Sequence, residues 1–129
     1  MKKLILASLV LAGSSAFADT TLFKCVVPSA TNSVKLNVTL ADDQSVDFVT
    51  LTLTEKAGTT QFFNQMEKGE ASKAVAAGAL QVLAMTEKTG QVDGVIVNTG
   101  LFSVSADQKG AFSGLLLAKN NIYPLSCTK

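Results

Sequence analysis

The two cysteines restrict the fold of this chain more than any other feature of the sequence. Cys25 and Cys127 lie near opposite ends of the segment that follows an apolar N-terminal stretch. In an exported protein, one pair of cysteines predicts one disulfide. A disulfide needs Cα atoms roughly 4.4–6.8 Å apart, so the two ends of the folded domain must meet. Closing a loop of about 100 residues would stabilise the fold by roughly 4–5 kcal/mol through chain entropy.

The N-terminal stretch has the three parts of a secretory signal peptide. A basic start precedes an apolar run that is too short to cross a bilayer, which needs about 20 residues. Ala16 and Ala18 occupy the small-residue positions of a cleavage site, and Ser14 stands where a lipoprotein signal would have cysteine. We therefore predict that residues 1–18 are a bacterial Sec-type signal peptide cleaved after Ala18. Residues 19–129 would then form a single periplasmic or secreted domain.

Alternating apolar and polar residues predict β-strands along most of that domain. In VKLNVTL, from Val34 to Leu40, every second residue is apolar, which is typical of a strand with one buried face. The same pattern recurs in VTLTLT, from Val49 to Thr54. We predict nine strands, at Leu22–Val27, Ser33–Ala41, Ser45–Thr54, Thr59–Gln65, Leu80–Thr86, Gln91–Asn98, Leu101–Ala106, Ala111–Lys119 and Ile122–Cys127.

Polar runs between these segments predict tight turns. The runs at residues 55–58, 87–90 and 107–110 each end in glycine, which is typical of a bulged hairpin. Asn120-Asn121 is predicted as a two-residue turn, because asparagine tolerates positive φ. Residues 42–44 are expected to connect the second strand to the third.

One segment, EASKAVAAG at residues 70–78, has the composition of a helix. Ala71, Ala74 and Val75 recur at helical spacing, and Gly78 suits a helix C-terminus. A helix this short needs tertiary packing, so we expect it to lie over one end or flank of the sheet.

Tight turns leave no room for parallel crossovers, so the predicted sheet is an antiparallel meander. Closure into a barrel hides the sheet edges and places the first strand beside the last, as a disulfide between Cys25 and Cys127 also requires. We predict an all-β fold: a small meander closed into a barrel of eight or nine short strands, with one short helix. A two-sheet β-sandwich is the alternative. Threonine-rich strands without an aromatic girdle argue against a barrel that spans a membrane.

The composition limits the chemistry that the chain can perform. Histidine, the usual general base and the commonest metal ligand, is absent. Asp42, Asp43 and Asp47 lack the alternate spacing of a calcium loop. A formal net charge of +1 provides no basic face for nucleic acid. We therefore expect a protein that is not an enzyme and that has no cofactor, metal or nucleic-acid partner.

Three apolar residues are candidates for contact with a partner: Phe62, Phe63 and Leu116. Adjacent residues of a strand point to opposite faces, so one of Phe62 and Phe63 belongs to the core. The other either packs under the helical segment or stays exposed as an anchor for a partner. In GLLLAK, Leu116 takes the opposite face from Leu115 and Leu117, which again leaves apolar residues on both faces.

The layout of signal peptide, terminal cysteines and about eight strands is similar to that of bacterial periplasmic lysozyme inhibitors. Their Ser-Gly-x-x-Tyr motif is absent, and Tyr123 is the single tyrosine. Lipocalins share the layout too, but the chain lacks the tryptophans of their cavities. Similar architecture does not imply a shared function. We expect a protein-binding module, such as a periplasmic inhibitor or envelope accessory protein. The alternative is a lipocalin-like carrier of a small apolar ligand.

Overall fold

The computed structural model describes residues 19–30, 33–43 and 45–129. A 3₁₀ helix at Pro28–Ala30 follows the first strand, and one α-helix, α1 (Glu70–Ala76), follows the fourth. The strands in these residues are β1 (Asp19–Val26), β2 (Lys35–Asp42), β3 (Val46–Glu55), β4 (Gly58–Glu67), β5 (Ala79–Val92), β6 (Val95–Ala106), β7 (Phe112–Ala118) and β8 (Asn121–Thr128).

The strands form a closed barrel in which every strand pairs with its neighbours in sequence and β1 pairs with β8. All eight pairings in the described residues are antiparallel. The predicted all-β meander closed into a barrel is therefore confirmed, and the alternative prediction of a two-sheet β-sandwich is wrong.

The disulfide closes the barrel at the meeting of the first and last strands. Cys25 and Cys127 are directly opposite in the β1–β8 register and are bonded, with Cα atoms 4.0 Å apart. This pairing extends over three residues of each strand, from Lys24 to Val26 in β1. A covalent bond thus reinforces a short seam, and the predicted disulfide is confirmed.

Apolar side chains fill the barrel interior, because the alternating residues of each strand point inward. The Phe23 ring lies against those of Phe102 and Phe112, with centroids 6.3 and 4.8 Å away. The largest fully buried apolar side chains are Phe23, Phe62, Phe102, Leu36, Leu51, Leu53, Leu80 and Leu116.

Phe62 crosses the interior over small residues. A Cβ added to Gly100 would lie 3.1 Å from the Phe62 ring and 3.5 Å from Ala118 Cβ. Ala84, opposite Gly100 in the β5–β6 register, is also fully buried. The large Phe62 ring therefore packs against small residues on the neighbouring strands, and such alternation of large and small side chains fills the interior of a small closed barrel.

Helix α1 packs against one end of the barrel. Ala71 is fully buried, and Ala74 and Val75 pack against the core. Gly78 follows the helix with φ 94° and donates a backbone hydrogen bond to Val75 O. The predicted helix and its glycine terminus are confirmed.

A buried carboxylate connects this helix to the barrel. Asp47 is 2% exposed on β3, and its Oδ2 accepts a hydrogen bond from the Gly69 N–H at 3.0 Å. Gly69 precedes α1 and has φ 85°, a conformation that favours glycine. The bond satisfies an oxygen that would otherwise be buried without a partner.

The strand prediction is wrong in one region. Residues 87–90 are not a hairpin turn but lie inside β5, which continues from the predicted strand Leu80–Thr86 to Val92. The predicted strand Gln91–Asn98 is divided by a turn, and its second half is continuous with the predicted strand Leu101–Ala106 in β6. The hairpin turn is Asp93-Gly94, between β5 and β6. The described residues consequently form eight strands and not nine.

The other turns agree with the sequence, with one shift. Residues 56–57 and 107–110 form turns as predicted, and Gly110 has φ 83°. The last turn is Lys119-Asn120, with φ 57° and 62°, one residue earlier than predicted. In the turn that follows β2, Asp43 Oδ1 accepts a hydrogen bond from Ser45 N–H at 2.8 Å.

The proposed signal peptide, residues 1–18, lies outside the described residues, so its cleavage after Ala18 stays a prediction. Among the residues that are described, none belongs to a helix long and apolar enough to cross a membrane.

Candidate functional site: an exposed hairpin arm and the groove at its root

The structure separates the three residues predicted to contact a partner. Phe62 and Leu116 point into the barrel and are almost completely buried, so they belong to the core. Phe63 lies on the outer wall with 41% of its surface exposed, opposite Met85 of β5. Of the three, Phe63 alone has a side chain available to another molecule in this structure.

Phe63 marks a weakly paired seam between β4 and β5. In the described chain, Phe63–Met85 is the single register pair that joins these two strands. The Asn64 side-chain amide donates a hydrogen bond to Leu83 O, which adds a second link across the seam. The β4–β5 seam is therefore held by far fewer backbone contacts than the ten register pairs between β3 and β4.

An apolar groove lies along this seam. Phe48, Phe63 and Met85 are exposed there, with Thr50, Asn64 and Gln65 completing a lining that contains no charged residue. The open volume is about 660 Å³. We call this feature the seam groove. Exposed clusters of large apolar side chains are typical of interaction surfaces.

Beyond the seam groove, β5 and β6 continue past their neighbours as a hairpin arm, residues 86–99. Pairing of β5 with β4 is confined to Met85, and pairing of β6 with β7 begins at Leu101. Within the described structure the arm therefore pairs only with itself. From Thr99 to Val95 it extends roughly 14 Å, at about 3.4 Å per residue.

A wide bulge forms the base of the arm. Met85 pairs with Thr99 and Gly90 pairs with Val97, so residues 86–89 lie opposite Asn98 alone. Asn98 has φ 64°, and its side-chain amide donates a hydrogen bond to Lys88 O at 2.9 Å. This local network replaces ladder bonds where the arm leaves the barrel.

The bulge also uses its two threonines as hydrogen-bond partners. The Thr86 N–H donates to Thr89 Oγ1 at 2.9 Å, and the Lys88 N–H donates to Thr86 Oγ1 at 3.1 Å. The Thr89 hydroxyl donates to Asn98 O at 2.5 Å. Side chains therefore satisfy backbone groups that the irregular pairing leaves without strand partners.

The tip of the arm is a tight turn between exposed apolar residues. Asp93 and Gly94 have φ 51° and 81°, and a two-residue turn with both φ values positive is type I′. Val92, Val95 and Ile96 are 57%, 60% and 64% exposed. We call these three residues the apolar tip. Val92 and Val95 are opposite in register and share a face, whereas Ile96 takes the other.

Next to the arm, an ion pair joins two turns at the same rim of the barrel. Lys119 Nζ lies 2.6 Å from Glu55 Oε2, and the Tyr123 hydroxyl donates to Glu55 Oε1 at 3.0 Å. The hydrogen bond from Lys119 lowers the pKa of Glu55 below its ordinary value of 4.5. The same bond raises the pKa of Lys119 above its ordinary value of 10.5.

The interactions among Glu55, Lys119 and Tyr123 have a structural explanation. Glu55 ends β3, and Lys119 belongs to the β7–β8 turn, so the ion pair connects strands that are not neighbours in the sheet. In residues 19–30, 33–43 and 45–129, no group of three or more His, Cys, Asp or Glu side chains could hold a metal ion.

Sequence reasoning missed the arm although the signal was present. Asp-Gly between apolar residues is the strongest short-range indication of a hairpin, and Asp93-Gly94 lies between Val92 and Val95. The polar run at residues 87–90 also ends in glycine, so its composition fits a hairpin turn as well. Placing the turn there makes Val92, Val95 and Ile96 part of an ordinary strand and conceals their exposure.

Comparison of the chain with protein-family models, curated proteins and solved structures finds no significant match.

Proposed function

We propose that the chain is an exported, non-catalytic protein-binding module, such as a periplasmic inhibitor or envelope accessory protein, and that its hairpin arm contacts the partner. The observation that carries this proposal is the exposure of Val92, Val95 and Ile96 on an arm that pairs with no other strand in the described residues. An isolated two-stranded ribbon is at best marginally stable in water. Val92 and Val95 stabilise the ribbon as a cross-strand pair, but more than half of each of these side chains stays exposed, and a partner that covers them would explain this exposure.

The chemistry of the arm suits protein recognition. The type I′ turn places aliphatic side chains next to one another at the tip, where a partner could bury them. Asp93 is the one charged residue between Gly90 and Val97, so recognition would depend mainly on apolar contact and shape.

The carrier alternative receives less support. About eight strands leave room for packed side chains or one small ligand. The described interior is occupied by side chains such as Phe23, Phe62 and Phe102. A carrier would need one of these to move before a ligand could enter.

Site-specific photo-crosslinking in the native host tests the proposal. Benzoylphenylalanine at position 96 would lie in the apolar tip, and at position 37 it would lie on the exposed outer wall of β2. We expect an adduct with another protein from position 96 and none from position 37. That protein, once purified, should bind the Ile96→Lys variant at least tenfold more weakly than the natural chain.

Three results would contradict the proposal. One is the same set of adducts from both positions, and another is no adduct with a different protein from position 96. The third is unchanged binding of the identified protein to the Ile96→Lys variant.

A further inference from the structure

We infer that the Asp93-Gly94 turn is a site of spontaneous covalent modification, at which Asp93 isomerises to isoaspartate and the hairpin arm loses its turn. The sequence contains one Asp-Gly, at this position, and no Asn-Gly, which is the other dipeptide that favours this chemistry. The modification itself does not depend on what the arm binds. Its effect on recognition rests on the proposed function of the arm.

The carboxyl group of Asp93 is available to react. Asp93 and Gly94 are both exposed, and within the described residues no hydrogen bond to the Asp93 carboxylate is found. Asp107, which also lies in a turn, differs in this respect. Its Oδ1 accepts hydrogen bonds from the N–H groups of Lys109 and Ala111, at 2.8 and 3.0 Å. Such bonds hold a carboxylate in one position, whereas the carboxylate of Asp93 can rotate.

The attacking atom, the backbone nitrogen of Gly94, is equally accessible. In a type I′ turn the hydrogen bond joins the first and fourth residues, here Val92 and Val95, so the Gly94 N–H takes no part in it. A Cβ built on Gly94 would meet nothing within 4 Å. Open space therefore surrounds the residue, and glycine has no side chain of its own to crowd the nitrogen.

The reaction exchanges water with the solvent and changes no oxidation state. The Gly94 nitrogen attacks Cγ of the protonated Asp93 carboxyl group and forms a C–N bond, while the carboxyl hydroxyl leaves with the N–H proton as water. A second water molecule then attacks the former backbone carbonyl carbon of Asp93 in the five-membered imide. The C–N bond at that carbon breaks, the nitrogen regains a proton, and the chain now runs through Cβ and Cγ.

The reaction requires the turn to open, because the ring forms only after rotation about the backbone bonds of Asp93, whose φ is 51° in the folded turn. The arm makes such opening easy. It pairs with no other strand in the part of the chain that the structure describes, and a two-stranded ribbon is at best marginally stable in water. Elements of this kind open locally while the rest of the fold stays intact.

Isoaspartate is incompatible with this turn. It inserts Cβ into the backbone of a two-residue loop, whereas a type I′ turn needs two ordinary residues at positive φ. Val92 and Val95 then lose the register that places them opposite each other. The carboxylate remains, now attached to Cα, so the arm changes in shape and not in charge. A partner that recognises the shape of the arm therefore binds the modified protein more weakly.

Peptide mapping of the purified, disulfide-bonded protein after prolonged incubation at neutral pH tests the inference. Trypsin cleaves after lysine, so after reduction one peptide, residues 89–109, contains both Asp93 and the internal control Asp107. Isoaspartate has the same mass as aspartate, and electron-transfer fragmentation locates it by cleavage of its Cα–Cβ bond. We expect isoaspartate to accumulate about tenfold faster at position 93 than at position 107, whose carboxylate is held by hydrogen bonds.

Two variants test the route through the ring. Gly94→Asn adds a Cβ beside the attacking nitrogen, and asparagine still tolerates positive φ, so isomerisation at position 93 should slow about fivefold. Asp93→Asn keeps the turn and forms the same ring with loss of ammonia in place of water. Aspartate and isoaspartate should therefore both appear at position 93 of that variant.

Hydrogen exchange on the isomerised protein, separated by chromatography, tests the loss of the turn. We expect faster exchange in residues 90–97 and unchanged exchange of a core amide such as that of Leu51. Isoaspartate that forms no faster at position 93 than at position 107 would overturn the inference. So would a rate that Gly94→Asn leaves unchanged, the absence of isoaspartate from Asp93→Asn, or unchanged exchange in the isomerised arm. The proposed function fails separately, if position 96 yields no adduct with another protein in the host.

Discussion

At the scale of single residues, Gly114 allows β6 and β7 to approach closely. A Cβ at this position would lie 1.9 Å from Ser103 O, which is a backbone atom that cannot rotate away. The two strands would have to separate to admit a methyl group. We expect Gly114→Ala to lower the free energy of unfolding by about 1–3 kcal/mol, measured by urea denaturation.

Gly90→Ala provides the control for that measurement. A Cβ at Gly90 meets nothing within 4 Å, so its effect should stay within about 0.5 kcal/mol. If the two variants shifted the urea midpoint equally, the close approach of β6 to β7 would not explain the choice of glycine at position 114.

The ion pair between Glu55 and Lys119 predicts a defined pH dependence. The pKa of Glu55 is lowered by folding, so its contribution to stability is present above the ordinary value of 4.5 and is lost as pH falls through the folded pKa. The pKa of Lys119 is raised, so its contribution is present below 10.5 and is lost as pH rises through the folded pKa.

We therefore expect Glu55→Gln to lower the unfolding free energy by up to about 1 kcal/mol at neutral pH, because the pair is partly exposed and screened. The difference from the natural chain should disappear when pH falls well below 4.5. Glu87→Gln is a matched control, since no ion pair of Glu87 is found in the described residues. A difference that persisted in acid would mean that Glu55 acts through packing and not through its charge.

Burial at single residues was only partly predictable from the sequence. Alternation shows that Phe62 and Phe63 point to opposite faces, but it does not show which face is inside. The structure assigns the interior to Phe62, where Gly100 leaves space for its ring. Leu116 is likewise inside, and Leu117 is exposed. Such choices depend on contacts between strands that are distant in sequence.

At the scale of elements, the sequence predicted correctly those helices and turns whose conformation depends on residues close to them in the chain. Helix α1 and Gly78 follow from helical spacing and from the conformational freedom of glycine. Residues 87–90 could not be resolved locally, because a polar run that ends in glycine suits either a turn or a bulge. Asn98, on the other strand and with φ 64°, accommodates the bulge.

The arm should be an independently opening element, because no other strand in the described residues pairs with it. Gly94→Ala would place a Cβ at φ 81° and destabilise the turn by about 1 kcal/mol. We expect amide hydrogen exchange in residues 90–97 to accelerate about fivefold, while exchange of core amides such as Leu51 stays unchanged.

Asp93→Asn should leave the exchange rate of the arm unchanged, because Asn-Gly also favours a type I′ turn. Faster exchange throughout the barrel in Gly94→Ala would show that the arm and the barrel unfold together.

At the scale of the whole molecule, two sparse seams divide the barrel into a β1–β4 half and a β5–β8 half. Among the described residues, the β1–β8 seam has three register pairs and the disulfide, whereas the β4–β5 seam has one register pair and the segment that includes α1. Closure of the barrel was predictable because the two cysteines required the ends to meet. The weak pairing of β4 with β5 was not predictable from the sequence. It depends on how these two strands diverge in space, which no local sequence pattern records.

Reduction of the disulfide should strongly destabilise this arrangement. Cys25 and Cys127 are 102 residues apart, and a loop of that length contributes about 4–5 kcal/mol. We expect Cys25→Ala/Cys127→Ala to lower the unfolding free energy by about that amount, measured by urea denaturation against the oxidised chain. The reduced natural chain should match the double variant. A loss below about 1 kcal/mol would show that hydrogen bonding alone holds the first seam.

The position of the disulfide determines what happens to the protein after a single proteolytic cut. Because the bond joins the first strand to the last, the backbone from Cys25 to Cys127 is part of a covalent ring. A single cut in a surface turn opens this ring without releasing a fragment. The nicked molecule keeps both pieces at high mutual concentration, and the pieces separate on a gel only after reduction. A domain built in this way can lose one peptide bond and still remain one molecule.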